Sequence, residues 1–289
     1  MKPLPAAGPN AEQITYWNES AGPKWSTLQA LIDEQLRALG LLAMERANPR
    51  PGERALDVGC GCGEATLELA RRVAPGGAVT GIDVSAPMLE RAAAQSPVPG
   101  VDLRFELADA QTHAFAPEAF DLLYSRFGVM FFADPDAAFA NLIRALKRGG
   151  RLAFICWQSP QDNPWMTVPL DAALQHVPAP SPPPPATAPG PFAFADPERV
   201  RGILTRAGFV NVALEPVRMM LTLGGGGDLD TAVDYVMRIG PTSRLLEEAG
   251  NPALRPRVIA AIRAALVPFA TARGVRMDSA TWIATAWRR

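Results

Sequence analysis

The sequence predicts an α/β fold with an open, mostly parallel, seven-stranded sheet and helices on both of its faces. Two observations support this class. Short apolar runs alternate with segments of helical periodicity between residues 55 and 157, and a glycine-rich turn joins the first apolar run to the helix that follows it. A chain of 289 residues, 48% of them hydrophobic, is long enough to bury one sizeable core. We therefore expect a single domain.

The elements follow in order along the chain. A helical stripe of apolar residues comes first, formed by Leu31, Ile32, Leu36, Leu39 and Leu42. The apolar runs that we interpret as strands span residues 55–58, 79–82, 103–107, 120–124 and 151–157. Predicted helices lie between them at 64–73, at 87–94 and around Phe139 to Leu146, where Gly149 and Gly150 stop the last helix.

Two segments interrupt this alternation. Residues 159–195 contain a run of prolines, which favours extended backbone, so this insertion is predicted to be a loop or cover. Residues 224–278 begin with four glycines and then have helical patterns, which predicts a hinged helical lid.

The predicted organisation is a single domain over residues 1–289. Its parts are an N-terminal helical arm (1–50), a cofactor-binding core (51–158), the Pro-rich insertion (159–195), the C-terminal part of the sheet (196–223 and 279–289) and the lid (224–278). Asp196-Pro197 and Gly208 are typical start and stop signals for a helix before that last part of the sheet.

Charge and composition restrict the partners. The 28 Lys and Arg residues nearly balance the 29 Asp and Glu residues, and no basic run offers a phosphate-binding surface, so no nucleic-acid partner is expected. No segment has the length and apolarity of a membrane span, and the N-terminus lacks the form of a secretory signal. Three cysteines form neither a disulfide framework nor a zinc pattern. We expect a cytoplasmic protein without a metal site, as a monomer or a homodimer.

The strongest motif is the segment Leu56-Asp57-Val58-Gly59-Cys60-Gly61-Cys62-Gly63. Glycines at alternate positions let a ligand approach the backbone closely at the start of a helix. A dinucleotide-binding turn has a wider spacing before its third glycine, and Glu64 would be a poor neighbour for a pyrophosphate. The turn therefore indicates a different cofactor.

The spacing resembles motif I of the class I S-adenosylmethionine-dependent methyltransferases, which have a Rossmann-like fold. The resemblance continues in segments 81–85, 107–110, 120–126 and 146–152, and covers roughly residues 55 to 157. Within the class, the segments 81–89, 109–113 and 127–132 are most similar to small-molecule enzymes related to the ubiquinone and menaquinone C-methyltransferases. Beyond residue 158 this likeness fades, so the substrate of those enzymes is not carried over.

The resemblance implies S-adenosylmethionine as the cofactor. It implies that the following residues hold it: Asp57, Gly59, Cys60, Gly61, Asp83, Val84, Met88, Asp109, Ala110, Ser125 and Arg126. Asp57 would receive the ammonium group, Asp83 the ribose hydroxyls and Asp109 the adenine amino group. Val84 and Met88 would flank the adenine ring, and Ser125 with Arg126 would close the site below the sulfonium.

The predicted activity is transfer of a methyl group to an oxygen, nitrogen or carbon atom of a small aromatic or apolar molecule by in-line displacement. A non-catalytic protein that binds the same cofactor is an alternative, because fold does not dictate function. A nicotinamide-dependent oxidoreductase would share the alternating fold but need the wider glycine spacing.

The catalytic residues stay unknown at this level, since displacement at a sulfonium needs alignment more than a dedicated base. His113, whose ordinary pKa lies near neutrality, and Tyr124, at the end of the fourth strand, are candidates. Polar and aromatic residues before the first strand or after the fifth strand are predicted to line the acceptor pocket: Tyr16, Trp17, Trp25, Trp157, Asn163 and Trp165.

Overall fold

The computed structural model describes residues 1–178 and 184–289. Its strands are β1 Arg54–Val58, β2 Ala78–Asp83, β3 Asp102–Leu107, β4 Phe120–Arg126, β5 Leu146–Trp157, β6 Phe209–Thr222, β7 Ala270–Thr271 and β8 Gly274–Arg288. Its α-helices are α1 Ala11–Thr15, α2 Ala21–Ala47, α3 Glu64–Val73, α4 Ala86–Ala93, α5 Pro135–Ala145, α6 Pro164–Leu174, α7 Pro197–Ala207, α8 Leu229–Arg238, α9 Pro241–Ala249 and α10 Arg255–Leu266. A π-helical turn, Tyr16–Ser20, joins α1 to α2.

One sheet organises the described chain, with strands in the order β3-β2-β1-β4-β5-β8-β6 and the short β7 paired to β8 off this path. Strands β1 to β5 pair in parallel, whereas β8 runs antiparallel to both β5 and β6. The sheet is therefore mostly parallel, as the sequence predicts. The last long strand of the chain, β8, lies between β5 and the edge strand β6.

Helix α2 packs against strands β4, β5, β6 and β8. The predicted apolar stripe is largely correct, because Ile32, Leu36 and Leu39 are buried, while Leu31 is 37% exposed. Phe139 of α5 and Phe154 of β5 are fully buried in the same core, which is continuous through the sheet. None of the helices in the described residues combines the length and apolarity needed to cross a lipid bilayer.

The insertion 159–195 differs from the predicted loop, because α6 occupies Pro164–Leu174. Pro164 lies in the first helical turn, where the missing N–H leaves no hydrogen bond unmade. Trp165, Met166 and Ala173 are buried, so an apolar face that a count of prolines does not reveal stabilises this helix. Residues 179–183, in the centre of the proline run, lie outside the described residues.

The C-terminal end of the predicted lid also has a different form. Helices α8, α9 and α10 confirm a helical segment after the glycines, but β8 begins at Gly274 and not near residue 280. The extra residues pair with the end of β6, from Met219↔Ser279 to Thr222↔Arg276. The strand extends because its first residues form hydrogen bonds with β6. A local sequence pattern does not show that such a partner strand is present.

Helix α7 allows a test of backbone conformation with an internal control. Gly208 follows the helix with φ 100°, a left-handed conformation that disfavours a side chain. Gly202 lies inside the helix, and only the exposed guanidinium of Arg206 is near the position that a Cβ would take. Gly208→Ala should lower the free energy of unfolding by about 1–2 kcal/mol. Gly202→Ala should raise it by up to about 1 kcal/mol. Urea denaturation of both variants measures these effects, and changes of the same sign would contradict the assignment.

Candidate active site

The carboxyl ends of β1, β2 and β3 lie side by side at one edge of the sheet. Val58 pairs with Ile82, and Asp83 pairs with Leu107. This register places three acidic residues along that edge, since Asp57 is in β1, Asp83 ends β2 and Asp109 follows β3. Open α/β sheets bind ligands in the crevice outside these strand ends.

A cavity of about 190 Å³ opens at this edge. The predicted cofactor residues that line it are Asp57, Gly59, Cys60, Gly61, Asp83, Val84, Met88, Asp109, Ala110 and Arg126. The sequence therefore identified residues that the tertiary structure brings into one place, although they come from four strand ends.

The turn after β1 has the backbone conformation and close packing that require glycine. Gly59 and Gly61 have φ values of 68° and 56°, in the left-handed region. A Cβ atom at Gly59 would lie 2.7 Å from the Cα of Gly128, and one at Gly61 would lie 2.8 Å from the Cε of Met88. Larger residues would thus displace either the neighbouring backbone or a cavity wall.

Asp83 connects this turn to β2. One carboxylate oxygen accepts the N–H of Gly61 at 2.8 Å, and the other accepts the N–H of Ser85 at 2.9 Å. Burial raises the pKa of Asp83, and the backbone donors lower it by a smaller amount. Each oxygen keeps a second lone pair, so the carboxylate can still accept bonds from a pair of ligand hydroxyls.

Asp57 is fully buried and only half satisfied. Its Oδ2 accepts a hydrogen bond from Thr66 Oγ1 at 2.7 Å, whereas its Oδ1 has no partner among the described residues. Burial raises the pKa of Asp57 to about 7. A cationic donor in the cavity would satisfy Oδ1 and favour the ionised form, so this residue fits the ammonium end of S-adenosylmethionine.

Asp109 receives its contacts from the N-terminal arm. Asn10 Nδ2 lies 2.9 Å from each of its carboxylate oxygens, and Asn10 Oδ1 accepts the N–H of Ala133 at 2.8 Å. Asn10 lines the cavity and is 4% exposed. The sequence analysis missed this residue, because nothing in its neighbourhood indicates a contact 99 positions along the chain.

Ser125 and Arg126, predicted to lie below the sulfonium, have other contacts. Ser125 Oγ donates to the Val58 carbonyl at 2.6 Å, and the residue does not line the cavity. Arg126 does line it, but its guanidinium forms ion pairs with Asp33 at 2.8 Å and Glu64 at 2.7 Å. A direct contact of either side chain with the cofactor stays a prediction.

Aromatic residues form the other wall of the cavity. Of the predicted acceptor residues, Trp17, Trp25, Trp157 and Trp165 line it. Tyr16 instead packs under Arg244, whose guanidinium carbon lies 5.2 Å from the ring centroid. Asn163 is buried outside the cavity, where its Nδ2 donates to Ser159 and Ala280 carbonyls at 3.0 Å.

Further aromatic residues in this wall were not singled out as site residues. They are Phe127, Phe131, Phe132 and Tyr235. Phe127 has φ 62°, which is unusual for a bulky side chain, and its ring stacks on Trp157 at a centroid distance of 4.3 Å. Strained backbone of this kind is concentrated at functional sites. A left-handed phenylalanine has no signature in sequence, so only the structure reveals it.

Neither catalytic candidate lies in the cavity. The hydroxyl of Tyr124 donates to the Gly40 carbonyl at 3.0 Å, in the interface between β4 and α2. The Nε2 atom of His113 lies 3.2 Å from Glu106 Oε1, and its ring packs against Phe115. The structure thus provides structural roles for both residues, and their catalytic role stays a prediction without support from the geometry.

Comparison with known proteins agrees with this site. The family model described as "Methyltransferase domain" matches residues 56–154. The chain is 33% identical over 187 residues to nocamycin O-methyltransferase of Saccharothrix syringae, covering 62% of this chain and 67% of that protein. It is 39% identical over 119 residues to demethylmenaquinone methyltransferase of Thermus thermophilus, but covers only 52% of that relative's length and 41% of its own.

A solved structure extends the likeness over most of the fold. The phosphoethanolamine N-methyltransferase 2 of Haemonchus contortus, solved with phosphomonomethylethanolamine and S-adenosylhomocysteine, superposes with a TM-score of 0.50 at 17% identity. The match covers 87% of this chain and 53% of that one.

Fold and site together define a Rossmann-like class I protein with a pocket suited to S-adenosylmethionine. The chain belongs to the methyltransferase family, and more narrowly to its class I small-molecule group. This membership confirms both the resemblance predicted from the sequence and S-adenosylmethionine as the cofactor. When bound, this cofactor supplies a methyl group on a positively charged sulfur, which is a good leaving group.

The buried carboxyl of Asp57 predicts a dependence of stability on pH. Its pKa is higher in the folded chain, about 7, than the ordinary value of 3.8. Its contribution to stability is therefore complete below about pH 4 and is lost as the pH rises through 7. Relative to Asp57→Asn, the ligand-free protein should lose no more than about 4 kcal/mol over this window. Urea denaturation at pH 4 and pH 8 measures the difference, and parallel changes in both proteins would contradict it.

The position of Tyr124 predicts a purely structural effect. Tyr124→Phe removes the buried hydrogen bond to Gly40 and should lower the free energy of unfolding by about 1 kcal/mol. The affinity for S-adenosylhomocysteine should stay within about twofold of the wild type, because the hydroxyl does not face the cavity. Thermal denaturation and calorimetric titration check the two parts. A tenfold loss of affinity would return Tyr124 to the site.

Proposed function

We propose that the chain transfers a methyl group from S-adenosylmethionine to an oxygen, nitrogen or carbon atom of a small aromatic or apolar molecule, by in-line displacement. The observation that carries this proposal is the continuity of the cavity. The same space is lined by Asp57, the glycine turn and Asp83 at one end and by tryptophan and phenylalanine side chains at the other. Such a space can hold a cofactor and an acceptor in contact.

The charges of the cavity support the cofactor end. Four lining carboxylates, those of Asp33, Asp57, Asp83 and Asp109, face one lining cation, Arg126, in the described part of the chain. Asp33 and Arg126 compensate each other in an ion pair. The remaining carboxylates lie at the strand ends, where they favour a ligand with net positive charge. The methylated cofactor is cationic at its sulfur and its ammonium group.

The aromatic wall supports an apolar acceptor. Phe127, Trp157 and Trp165 are less than a tenth exposed, so an acceptor there would be largely shielded from water. Exclusion of water and alignment are the main requirements for displacement at a sulfonium. The chain's part in catalysis would be to hold the accepting atom in line with the methyl group.

Few of the described residues could remove a proton from the methyl acceptor. The acceptor end has no histidine or lysine among its described lining residues, and its carboxylate Asp33 is ion-paired. We therefore propose that no dedicated base acts, and that the proton of a neutral acceptor is released to solvent. An oxygen acceptor has one further support, the name of the nocamycin O-methyltransferase relative.

Asp83→Asn tests the cofactor end. Loss of the carboxylate should weaken the binding of S-adenosylmethionine at least about tenfold, because a charged acceptor for ligand hydroxyls is removed. Asp121→Asn is the matched control, since that carboxylate pairs with Lys147 and accepts the N–H of Arg54 away from the cavity. Isothermal titration with S-adenosylmethionine, S-adenosylhomocysteine and NAD measures the affinities. Equal losses in both variants, or binding of NAD alone, would overturn the assignment.

Turnover is the second arm of the test. S-adenosylhomocysteine release should be detected with at least one member of a panel of phenols, aromatic amines and activated methylene compounds. Binding of the cofactor without turnover on any of them would favour the alternative of a non-catalytic protein that binds S-adenosylmethionine.

A further inference from the structure

The indole N–H of Trp165 is a buried donor without a partner. Trp165 lies in the first turn of α6, is 8% exposed, and its Nε1 forms no hydrogen bond with any described residue. Leaving such a donor unsatisfied costs about 1–3 kcal/mol, and native proteins keep few of them. Trp282 provides a contrast, because its Nε1 donates to the Ala195 carbonyl at 2.9 Å.

The residue that carries this donor lies at the aromatic end of the cavity. Trp165 lines the cavity, and its ring lies 5.1 Å from that of Trp157, which in turn stacks on Phe127. Helix α6 follows β5, and β4 separates β5 from the glycine turn after β1 in the strand order. Trp165 therefore follows a strand that is two positions from β1 and farther from β2 and β3, whose ends are next to Asp83 and Asp109.

The unpartnered atoms of the cavity differ in kind. Asp57 Oδ1 and Gln13 Oε1 are acceptors, and both line the cavity without a partner among the described residues. An indole offers only a donor, so its partner must carry a lone pair. Trp165 therefore favours a ligand atom that accepts a hydrogen bond. The two oxygens favour ligand atoms that donate one.

The charge around Trp165 narrows the ligand further. Arg126 is the one cation among the described lining residues, and Asp33 and Glu64 already neutralise it. A carboxylate beside Trp165 would be buried without a counter-charge, which is strongly unfavourable. A neutral oxygen, such as a carbonyl or a phenolic hydroxyl, meets no such penalty.

We propose that Trp165 Nε1 donates a hydrogen bond to a carbonyl or phenolic oxygen of an uncharged aromatic acceptor, and so determines specificity and orientation. This inference rests on the proposed function, because it assigns the substrate class of the same cavity. Trp165 acts as a binding and positioning residue: the aromatic wall holds the ring system, and the indole fixes its rotation relative to the methyl donor.

The test compares two probes that differ in one oxygen, 1-acetylnaphthalene and 1-ethylnaphthalene. Each is titrated into the full chain saturated with S-adenosylhomocysteine, whose own binding is measured first. The wild type should bind the ketone roughly tenfold more tightly than the hydrocarbon. Trp165→Phe keeps a ring in place but removes the hydrogen-bond donor. Its affinities for the two probes should therefore differ by less than about twofold. Trp287→Phe, at a 38% exposed position, is the matched control and should behave as the wild type.

A spectroscopic readout is independent of the variant's affinity. Among the indole N–H signals of the six tryptophans, the one missing from Trp165→Phe identifies Trp165. In the wild type, this signal should move downfield with 1-acetylnaphthalene and not with 1-ethylnaphthalene.

Several outcomes would overturn the inference. They are equal affinities of the wild type for both probes, a preference that persists in Trp165→Phe, an unmoved indole signal, and no binding of either probe. If S-adenosylhomocysteine binds but one of these occurs, only the role of Trp165 falls. If S-adenosylhomocysteine itself fails to bind, the proposed function falls and this inference with it.

Discussion

The buried guanidinium of Arg126 is the interaction on which the arrangement of the site depends. Arg126 is the last residue of β4, and only 13% of its side chain is exposed. Its guanidinium forms ion pairs with Asp33 of α2 and Glu64 of α3. A buried cation is tolerated only with close counter-charges, so both helices must keep their position against the sheet. Gly40 leaves room for the arginine stem, since a Cβ there would lie 2.9 Å from Arg126 Cδ. Arg126, which lines the cavity, is thereby held in position by charge as well as by apolar packing.

Two further constraints shape the cavity around Arg126. The parallel pairing of β1, β2 and β3 brings the glycine turn, Asp83 and Asp109 to one edge, although they lie far apart in sequence. The N-terminal arm then crosses that edge and is tied to it at two points. Asn10 bonds to Asp109, and Asn18 donates to the Val84 carbonyl at 2.9 Å and accepts the N–H of Ala86 at 3.0 Å. The arm is therefore part of the cavity wall.

The opposite wall depends on packing between segments that are remote in the chain. Helix α6 is positioned by Asn163, which bonds to Ala280 just before β8 begins to pair with β5 at Thr281. Tyr235 of α8 and Trp25 of α2 complete the enclosure. An acceptor would thus contact residues from the arm, the insertion and the lid at once, which explains why specificity can change while the sheet stays the same.

The sequence by itself determined the alternating elements of the core and the residues of the glycine turn, because periodicity and turn chemistry act over a few neighbouring positions. Through the resemblance to methyltransferases it also assigned Asp57, Asp83 and Asp109 to one cofactor site, and all three line the cavity. It did not show that α6 forms inside a proline-rich segment or that β8 starts at Gly274, because both depend on partners elsewhere in the chain. Only the tertiary structure decided that Arg126 faces two carboxylates, that Asn10 meets Asp109 and that the indole of Trp165 lacks a partner. Each of these features depends on which distant residues pack together, and the local pattern around any one of them does not contain that information.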